Sequence, residues 1–234
     1  GEAPGGGIGS LPHLQVLELG QCGISDMAPL AGLPLGGLRI LHLPGNEISR
    51  VDGLANMEQL RELVLDRNKI KHIDEHAFDG LRSLRELRMD DNGLKSLTNM
   101  GPLPRLRALH LSLNRVAELT ELEKLRSLRH VVIINLIQNP VARKPLYRAH
   151  LISAVGSARA VDGKEVTDEE RDRVEQLLQG TGQPANSGMY VYTETAQQAS
   201  SMGQAMSYMV PSMHAGQDGQ PGKPQDAPAQ RRGS

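Results

Sequence analysis

Six times between residues 14 and 139 a short leucine pattern recurs, and each time it closes on an asparagine or, once, a cysteine. The runs are Leu14-Leu17-Leu19-Cys22, Leu38-Leu41-Leu43-Asn46, Leu60-Leu63-Leu65-Asn68, Leu84-Leu87-Met89-Asn92, Leu106-Leu109-Leu111-Asn114 and Val131-Ile134-Leu136-Asn139. Their closing residues stand 24, 22, 24, 22 and 25 positions apart. A unit this short cannot bury its own apolar face. Only a stack of such units makes a continuous core, so the period constrains the chain to a solenoid.

Within each unit the leucines fall on alternate positions of a short strand and point inward, while the residues between them point to the opposite face. The closing asparagine turns the chain away from the strand, and its amide can satisfy backbone groups that the turn leaves unpaired. Cys22 takes that place in the first unit. An apolar residue follows two positions later, at Ile24, Ile48, Ile70, Leu94 and Val116. The returning segments are short and predict 3₁₀ or single helical turns on the convex side. The unit with Ile73, Phe78 and Leu81 is longer and predicts a more regular helix. The sixth unit is irregular. Counting back from Asn139 puts Val131 at its start and leaves extra residues before it for a bulge or wider turn.

These units resemble the leucine-rich repeat, and their length resembles its intracellular 22-residue, phosphatase-regulator-like class. The resemblance implies an α/β fold: a right-handed solenoid with a parallel concave sheet, a C-terminal helical cap and a disordered tail. Residues 139 to 179, from Asn139-Pro140-Val141 through Val161-Asp162-Gly163, resemble the C-terminal cap of this family. That cap is similar to those of outer-arm dynein light chain one, the spliceosomal U2 A-prime protein and related ciliary repeat proteins, and the array resembles the ciliary leucine-rich repeat-containing protein nine. Tyr147, Leu151, Ile152 and Val155 share one helical face that would seal the last repeat. Ala158 and Ala160 stand where the family has larger apolar residues, which predicts looser packing. Thr167 and Glu170 form a capping box for a helix reaching Gln179, with Gly180 as its stop. The expected organisation is therefore a flexible segment over 1–10, six repeats over 11–138, a cap over 139–179 and a low-complexity tail over 180–234. The tail carries Met189, Met202, Met206, Met209 and Met213 beside Tyr190, Tyr192 and Tyr208, apolar enough to dock on a partner yet too sparse for a core. The chain opens at Gly1 with no residues capping its first repeat, so it reads as a piece of something longer.

The outward strand positions form three rows. The first is Val16, Ile40, Glu62, Glu86, Ala108 and Ile133; the second is Glu18, His42, Val64, Arg88, His110 and Asn135; the third is Gly20, Pro44, Asp66, Asp90, Ser112 and Ile137. Their centre is acidic and their flanks apolar. The expected binding surface comprises Ile40, His42, Glu62, Val64, Asp66, Glu86, Arg88, Asp90, His110 and Ile133. It suits a basic or amphipathic protein element, whereas phosphates would meet the acids. Arginine follows the first leucine of four units, at Arg39, Arg61, Arg85 and Arg107, with Arg129 near the next. That spacing predicts a solvated edge held by local salt bridges.

Chemistry is absent from the pattern. No phosphate loop, nucleophile elbow, zinc motif or cysteine pair occurs, and His42 and His110 are too far apart to share a metal. Lys and Arg number 26 against 27 Asp and Glu, a balance that argues against a general polyanion binder. One cysteine cannot make an internal disulfide and suggests a reduced, intracellular setting. No apolar run reaches the 18 residues of a membrane-spanning helix. The expected function is a non-catalytic interaction scaffold, with no cofactor. Its expected setting is the cytoplasm, as a structural subunit of a cytoskeletal or ciliary axonemal assembly. The alternatives are a nuclear ribonucleoprotein assembly factor and a phosphatase-type regulatory subunit.

Overall fold

A computed structural model of the chain describes residues 13–180. The segments 1–12 and 181–234, and with them the methionine-tyrosine stretch, lie outside the described residues. Six short strands recur in phase with the leucines: β1 (Val16–Glu18), β2 (Ile40–His42), β3 (Glu62–Val64), β4 (Glu86–Arg88), β5 (Ala108–His110) and β6 (Ile133–Asn135). They pair in parallel and in chain order, with Leu17, Leu41, Leu63, Leu87, Leu109 and Ile134 in one inward file. Each of these is buried, and stacked leucines replace the aromatic residues the chain lacks. The pairing of Ala108 with Ile133 settles the sixth unit in the register counted back from Asn139. Its extra residues are taken up by α1 (Leu119–Glu123) and a 3₁₀ turn, Lys124–Ser127, rather than by a bulge in the strand.

The sheet does not stop at the last repeat. In the cap, β7 (Ala160–Val161) pairs in parallel with β6, and β8 (Lys164–Glu165) closes back on it antiparallel. Asp162 and Gly163 make the connecting turn, both at positive φ (54° and 74°), as a tight two-residue hairpin requires. Two helices follow the same logic of closure: α2 (Tyr147–Ala154) and α3 (Asp168–Gly180). Tyr147, Leu151, Ile152 and Val155 are all buried over the last coil. Of the two small residues expected to loosen the cap, Ala158 is fully buried and Ala160 half-buried.

The convex side is plainer than expected. One return is a 3₁₀ turn, Ala28–Gly32, and the segment from Ile73 to Leu81 is a chain of isolated turns with no helix. Its backbone bonds are separate i to i+3 contacts, such as Ala77 N–H to the Asp74 carbonyl (3.2 Å) and Leu81 N–H to the Phe78 carbonyl (3.2 Å). Gly80, at φ 88°, ends that segment in a conformation that stops helical propagation.

Five asparagines join the coils. Each side-chain oxygen accepts the N–H of the apolar residue two places beyond the previous closing position: Asn46 from Ile24 (3.1 Å), Asn68 from Ile48 (3.1 Å), Asn92 from Ile70 (3.1 Å), Asn114 from Leu94 (3.0 Å) and Asn139 from Val116 (3.1 Å). Each amide nitrogen donates to a carbonyl in the coil before and to the carbonyl three residues back in its own coil, for Asn68 those of Leu43 and Leu65, both at 2.9 Å. At Asn68, Asn92 and Asn114 it also reaches the carbonyl two residues back, at 3.2 to 3.3 Å. The ladder holds a turn that is strained at every step. The residue before each closing position has a left-handed backbone: Gln21, Gly45, Arg67, Asp91, Leu113 and Gln138 all lie between φ 54° and 67°. Only one of the six is glycine. For Arg67, Asp91, Leu113 and Gln138, the bonds of the asparagine that follows offset a conformation costing about 1 kcal/mol. Cys22 does not extend the ladder. It is exposed, and its thiol donates back to the Gly20 carbonyl (3.3 Å), because no earlier described coil offers groups to bridge.

Arg148 ties the cap together. Its guanidinium donates to Glu170 (2.6 and 2.8 Å) on α3 and to the carbonyls of Val161 (3.0 Å) and Glu165 (2.9 Å) on the hairpin. Glu170 is thereby diverted from the expected capping box. Thr167 Oγ1 still accepts the Glu170 N–H (3.2 Å), so only half of that box forms. Hydrogen bonding to Arg148 holds the Glu170 carboxyl below its ordinary 4.5, against the opposing effect of burial. A carboxyl with a lowered folded pKa stabilises above its unfolded value, and that contribution disappears as pH falls through the folded one. Glu170→Gln is therefore expected to lower stability by about 1 kcal/mol at neutral pH, since the pair is partly exposed. Melting curves of parent and variant should converge below about pH 4; a gap that stays constant from pH 7 to pH 3 would refute the pairing.

Candidate concave interaction surface

Strand pairing builds the concave face from the rows expected. Val16, Ile40, Glu62, Glu86, Ala108 and Ile133 stand in one row, and Glu18, His42, Val64, Arg88, His110 and Asn135 in the next. What the side chains do there differs from the expectation. The acidic centre is occupied with itself. His42 Nε2 donates to Glu62 Oε1 (2.8 Å), and His110 Nε2 lies 3.8 Å from Glu86 Oε1. Arg88 forks onto Asp66 Oδ2 through Nε (3.1 Å) and Nη2 (3.0 Å). The other Asp66 oxygen accepts the Asp90 N–H (2.8 Å), and Asp90 Oδ1 accepts the Ser112 N–H (2.6 Å).

These contacts correct two members of the expected surface. Val64 is only 8% exposed and Asp66 only 9%, so neither offers a partner a usable area. Val64 stands in its row between the larger His42 and Arg88, and Asp66 is drawn against the backbone of the next coil. Asp66 and Asp90 act as a second, shorter ladder at the strand exits, which Asp162 repeats in the cap by accepting the Leu136 N–H (2.8 Å). Its second oxygen accepts the Tyr147 hydroxyl (2.9 Å). Burial first, then the Asp162 carboxylate, pushes the Tyr147 phenol far above its ordinary range and keeps it a donor. Burial also raises the Asp90 carboxyl, with Asp66 adding to the effect and the Ser112 N–H opposing it. Burial works against the Arg88 charge, but Asp66, Asp90 and Glu86 together outweigh it and raise its pKa.

The open part of the face lies toward the cap. Ile133 is 41% exposed and Ile137 50%, both on β6 or its exit, and Leu113 is 47% exposed on the turn after β5. Among them the Asn135 amide nitrogen sits 3.0 Å from His110 Nδ1, while Asn135 Oδ1 is buried without a hydrogen-bond partner. Of these, Ile133 and His110 belong to the surface expected from sequence; Leu113, Asn135 and Ile137 do not. Leu113 is missed because its exposure follows from a left-handed backbone (φ 58°) at a position where a leucine reads as core. At the other end of the first row Val16 is 45% exposed, and Ile40 beside it is half-buried.

The arginine edge is also corrected. Arg39, Arg61, Arg85, Arg107 and Arg129 are exposed, and among the described residues the salt bridges expected for them do not form; the arginines that pair with carboxylates there are Arg50, Arg88 and Arg148. Among the described residues no group of three His, Cys, Asp or Glu is placed to hold a metal. No helix among them is long and apolar enough to cross a membrane.

Two leucine-rich repeat family models match, one over residues 36–94 and one over residues 101–186. The U2 small nuclear ribonucleoprotein A' of Emericella nidulans is 31% identical over 168 residues, covering 72% of this chain and 61% of that protein. That of Homo sapiens is 30% identical over 145 residues, covering 61% of this chain and 56% of that protein. The chain thus spans little more than half the length of these relatives. A solved structure of the Drosophila melanogaster SNF/U2A' complex contains a similar fold, with a TM-score of 0.54 at 24% identity over 65% of this chain and 85% of that one.

Proposed function

Because this chain belongs to the leucine-rich repeat family, we propose that it is a non-catalytic scaffold whose concave face holds a protein partner at the β5–β6 end. The observation that carries the reading is the open apolar patch of Leu113, Ile133 and Ile137 around a buried acceptor, Asn135 Oδ1, that lacks a donor. Exposed apolar area rimmed by polar groups favours protein association, and an unpaired acceptor inside it favours a partner that brings an N–H or O–H. The acidic centre contributes less than its charge suggests, because its carboxylates already have donors. An amphipathic element therefore suits the face better than a purely basic one.

The setting we propose is a nuclear ribonucleoprotein assembly. Curated relatives named U2 small nuclear ribonucleoprotein A' in a fungus and in Homo sapiens support this alternative over the cytoskeletal or ciliary one. The test expresses the tagged chain in cells, fractionates them and measures U2 small nuclear RNA in the purified material. Enrichment over other small nuclear RNAs is expected for the parent and loss of at least tenfold for Ile133→Glu/Ile137→Glu. Recovery in a cytoskeletal fraction without the RNA would overturn the nuclear setting, and full recovery with the double variant would overturn the face.

A further inference from the structure

We propose that the strand-start edge of the sheet, distinct from the concave face, binds an acidic extended segment of a partner protein. The carbonyls of Gln15, Arg39, Arg61, Arg85 and Arg107 each accept two consecutive N–H groups of the next strand's leading residues. These residues therefore occupy one register column, in which Arg39, Arg61, Arg85 and Arg107 are consecutive. Steps between paired strands are about 4.8 Å, so the four guanidinium stems span about 14 Å. Val132 and then Arg159 continue the column into the cap, again through backbone pairing. All of these arginines are exposed. The arginines that pair with carboxylates among the described residues are others, Arg50, Arg88 and Arg148.

Four aligned cations with no carboxylate paired to them among the described residues repel one another. An approaching anion relieves that repulsion while forming charge-assisted bonds. The edge is also recessed. A cleft of about 470 Å³ is lined by Arg85, Pro104, Arg105, Arg107 and His130. A second, of about 750 Å³, shares Arg107 and His130 and extends past Arg129 and Arg159 to Glu165, Asp168 and Arg171. A recess lined by Arg85, Arg105, Arg107 and His130 fits a chain laid across the strands at this end of the column.

The chemistry of the surroundings favours a peptide over a nucleic acid. Glu62 and Glu86 stand one residue beyond Arg61 and Arg85 on the same strands, where a regular run of phosphates would meet them. The aromatic residues of the described region, Phe78 and Tyr147, are buried, which leaves no platform on which bases could stack. An extended peptide places alternate side chains on one side about 6.8 Å apart, so three acidic residues cover about 14 Å, the length of the column, and can skip the glutamates.

The test uses the full 234-residue chain. Fluorescence anisotropy would follow a labelled twelve-residue peptide with glutamate at alternate positions, its glutamine counterpart, and a single-stranded RNA of equal length. Binding of the glutamate peptide alone is expected, weakening steeply with added salt. Arg61→Gln/Arg85→Gln/Arg107→Gln should weaken it at least tenfold. A control of equal charge change away from the edge, Arg67→Gln/Lys95→Gln/Arg115→Gln, should change it less than twofold. All six positions are exposed, so both variants should melt with the parent; Arg85→Gln alone, expected to weaken binding about threefold, serves if a triple variant does not. No binding of the peptide at low salt, equal losses in edge and control variants, or RNA binding tighter than the peptide would each overturn the proposal.

Discussion

Replacing Asn92 by alanine is expected to cost the array about 3 kcal/mol, the upper end of what stranding buried polar groups commonly costs. The side chain closes four bonds in the stack: it accepts the Ile70 N–H (3.1 Å) and donates to the carbonyls of Leu65 (2.9 Å), Met89 (3.2 Å) and Asp90 (3.3 Å). Ile70, Leu65 and Met89 are buried, so water cannot replace the amide at these three. The preceding residue, Asp91, would also lose what holds its left-handed backbone at φ 54°. Asn68→Ala should behave similarly. Asn46→Ala should cost less, because its acceptor bonds reach Cys22 and Ile24 at the outer end of the described array, where solvent can substitute. Asn92→Asp should fare no better than alanine, since it keeps the acceptor but removes both donors and buries a charge. Chemical denaturation of the four variants reads this gradient directly. Equal, small losses at Asn46 and Asn92 would mean the ladder is not a source of stability.

The inward file and the strand register are legible in the sequence because they depend on spacing alone. A leucine at offsets 0, 3 and 5 has one way to face the core once its neighbours are stacked, and every such residue from Leu38 to Leu136 is buried. The returns are less legible. They are short, so helix propensity has too few residues to act on, and the outcome is decided by local contacts such as those at Gly80. The concave face shows a different limit. Its composition is written in the rows, but whether a carboxylate is available depends on distances between coils. Asp66 reads as a surface acid, yet it bonds a backbone N–H in the next coil and a guanidinium beside it. Conversely, Arg61 and Arg85 read as members of salt bridges, and the carboxylates nearest along the strand, Glu62 and Glu86, face the histidines instead. Charge counted along a strand thus misplaces both the open and the closed parts of the surface. Pairing across strands restores them: an apolar patch at β5–β6, and a row of arginines at the strand starts with no carboxylate partner among the described residues.

Gly80→Ala is expected to destabilise the array by about 3 kcal/mol or more, combining backbone strain with a backbone collision. An added Cβ at Gly80 would sit 2.3 Å from the Ala55 carbonyl oxygen, and at Gly53 2.4 Å from that of Met27. Both obstacles are main-chain atoms of the preceding coil, which cannot swing aside as a side chain would. To admit a methyl group, two coils must part on the convex side while their strands remain hydrogen-bonded on the concave side, and nearest-neighbour contacts are what a solenoid's stability rests on. Gly23 separates the two causes. It has a comparable left-handed backbone, φ 70°, but nothing within 4 Å of the position its Cβ would take. Gly23→Ala should therefore cost only the conformational part, about 1 kcal/mol. Thermal melts of the three variants should rank Gly53→Ala and Gly80→Ala well below Gly23→Ala. If all three fall together, backbone strain alone explains these glycines, and the coils are not in close contact at the convex turns.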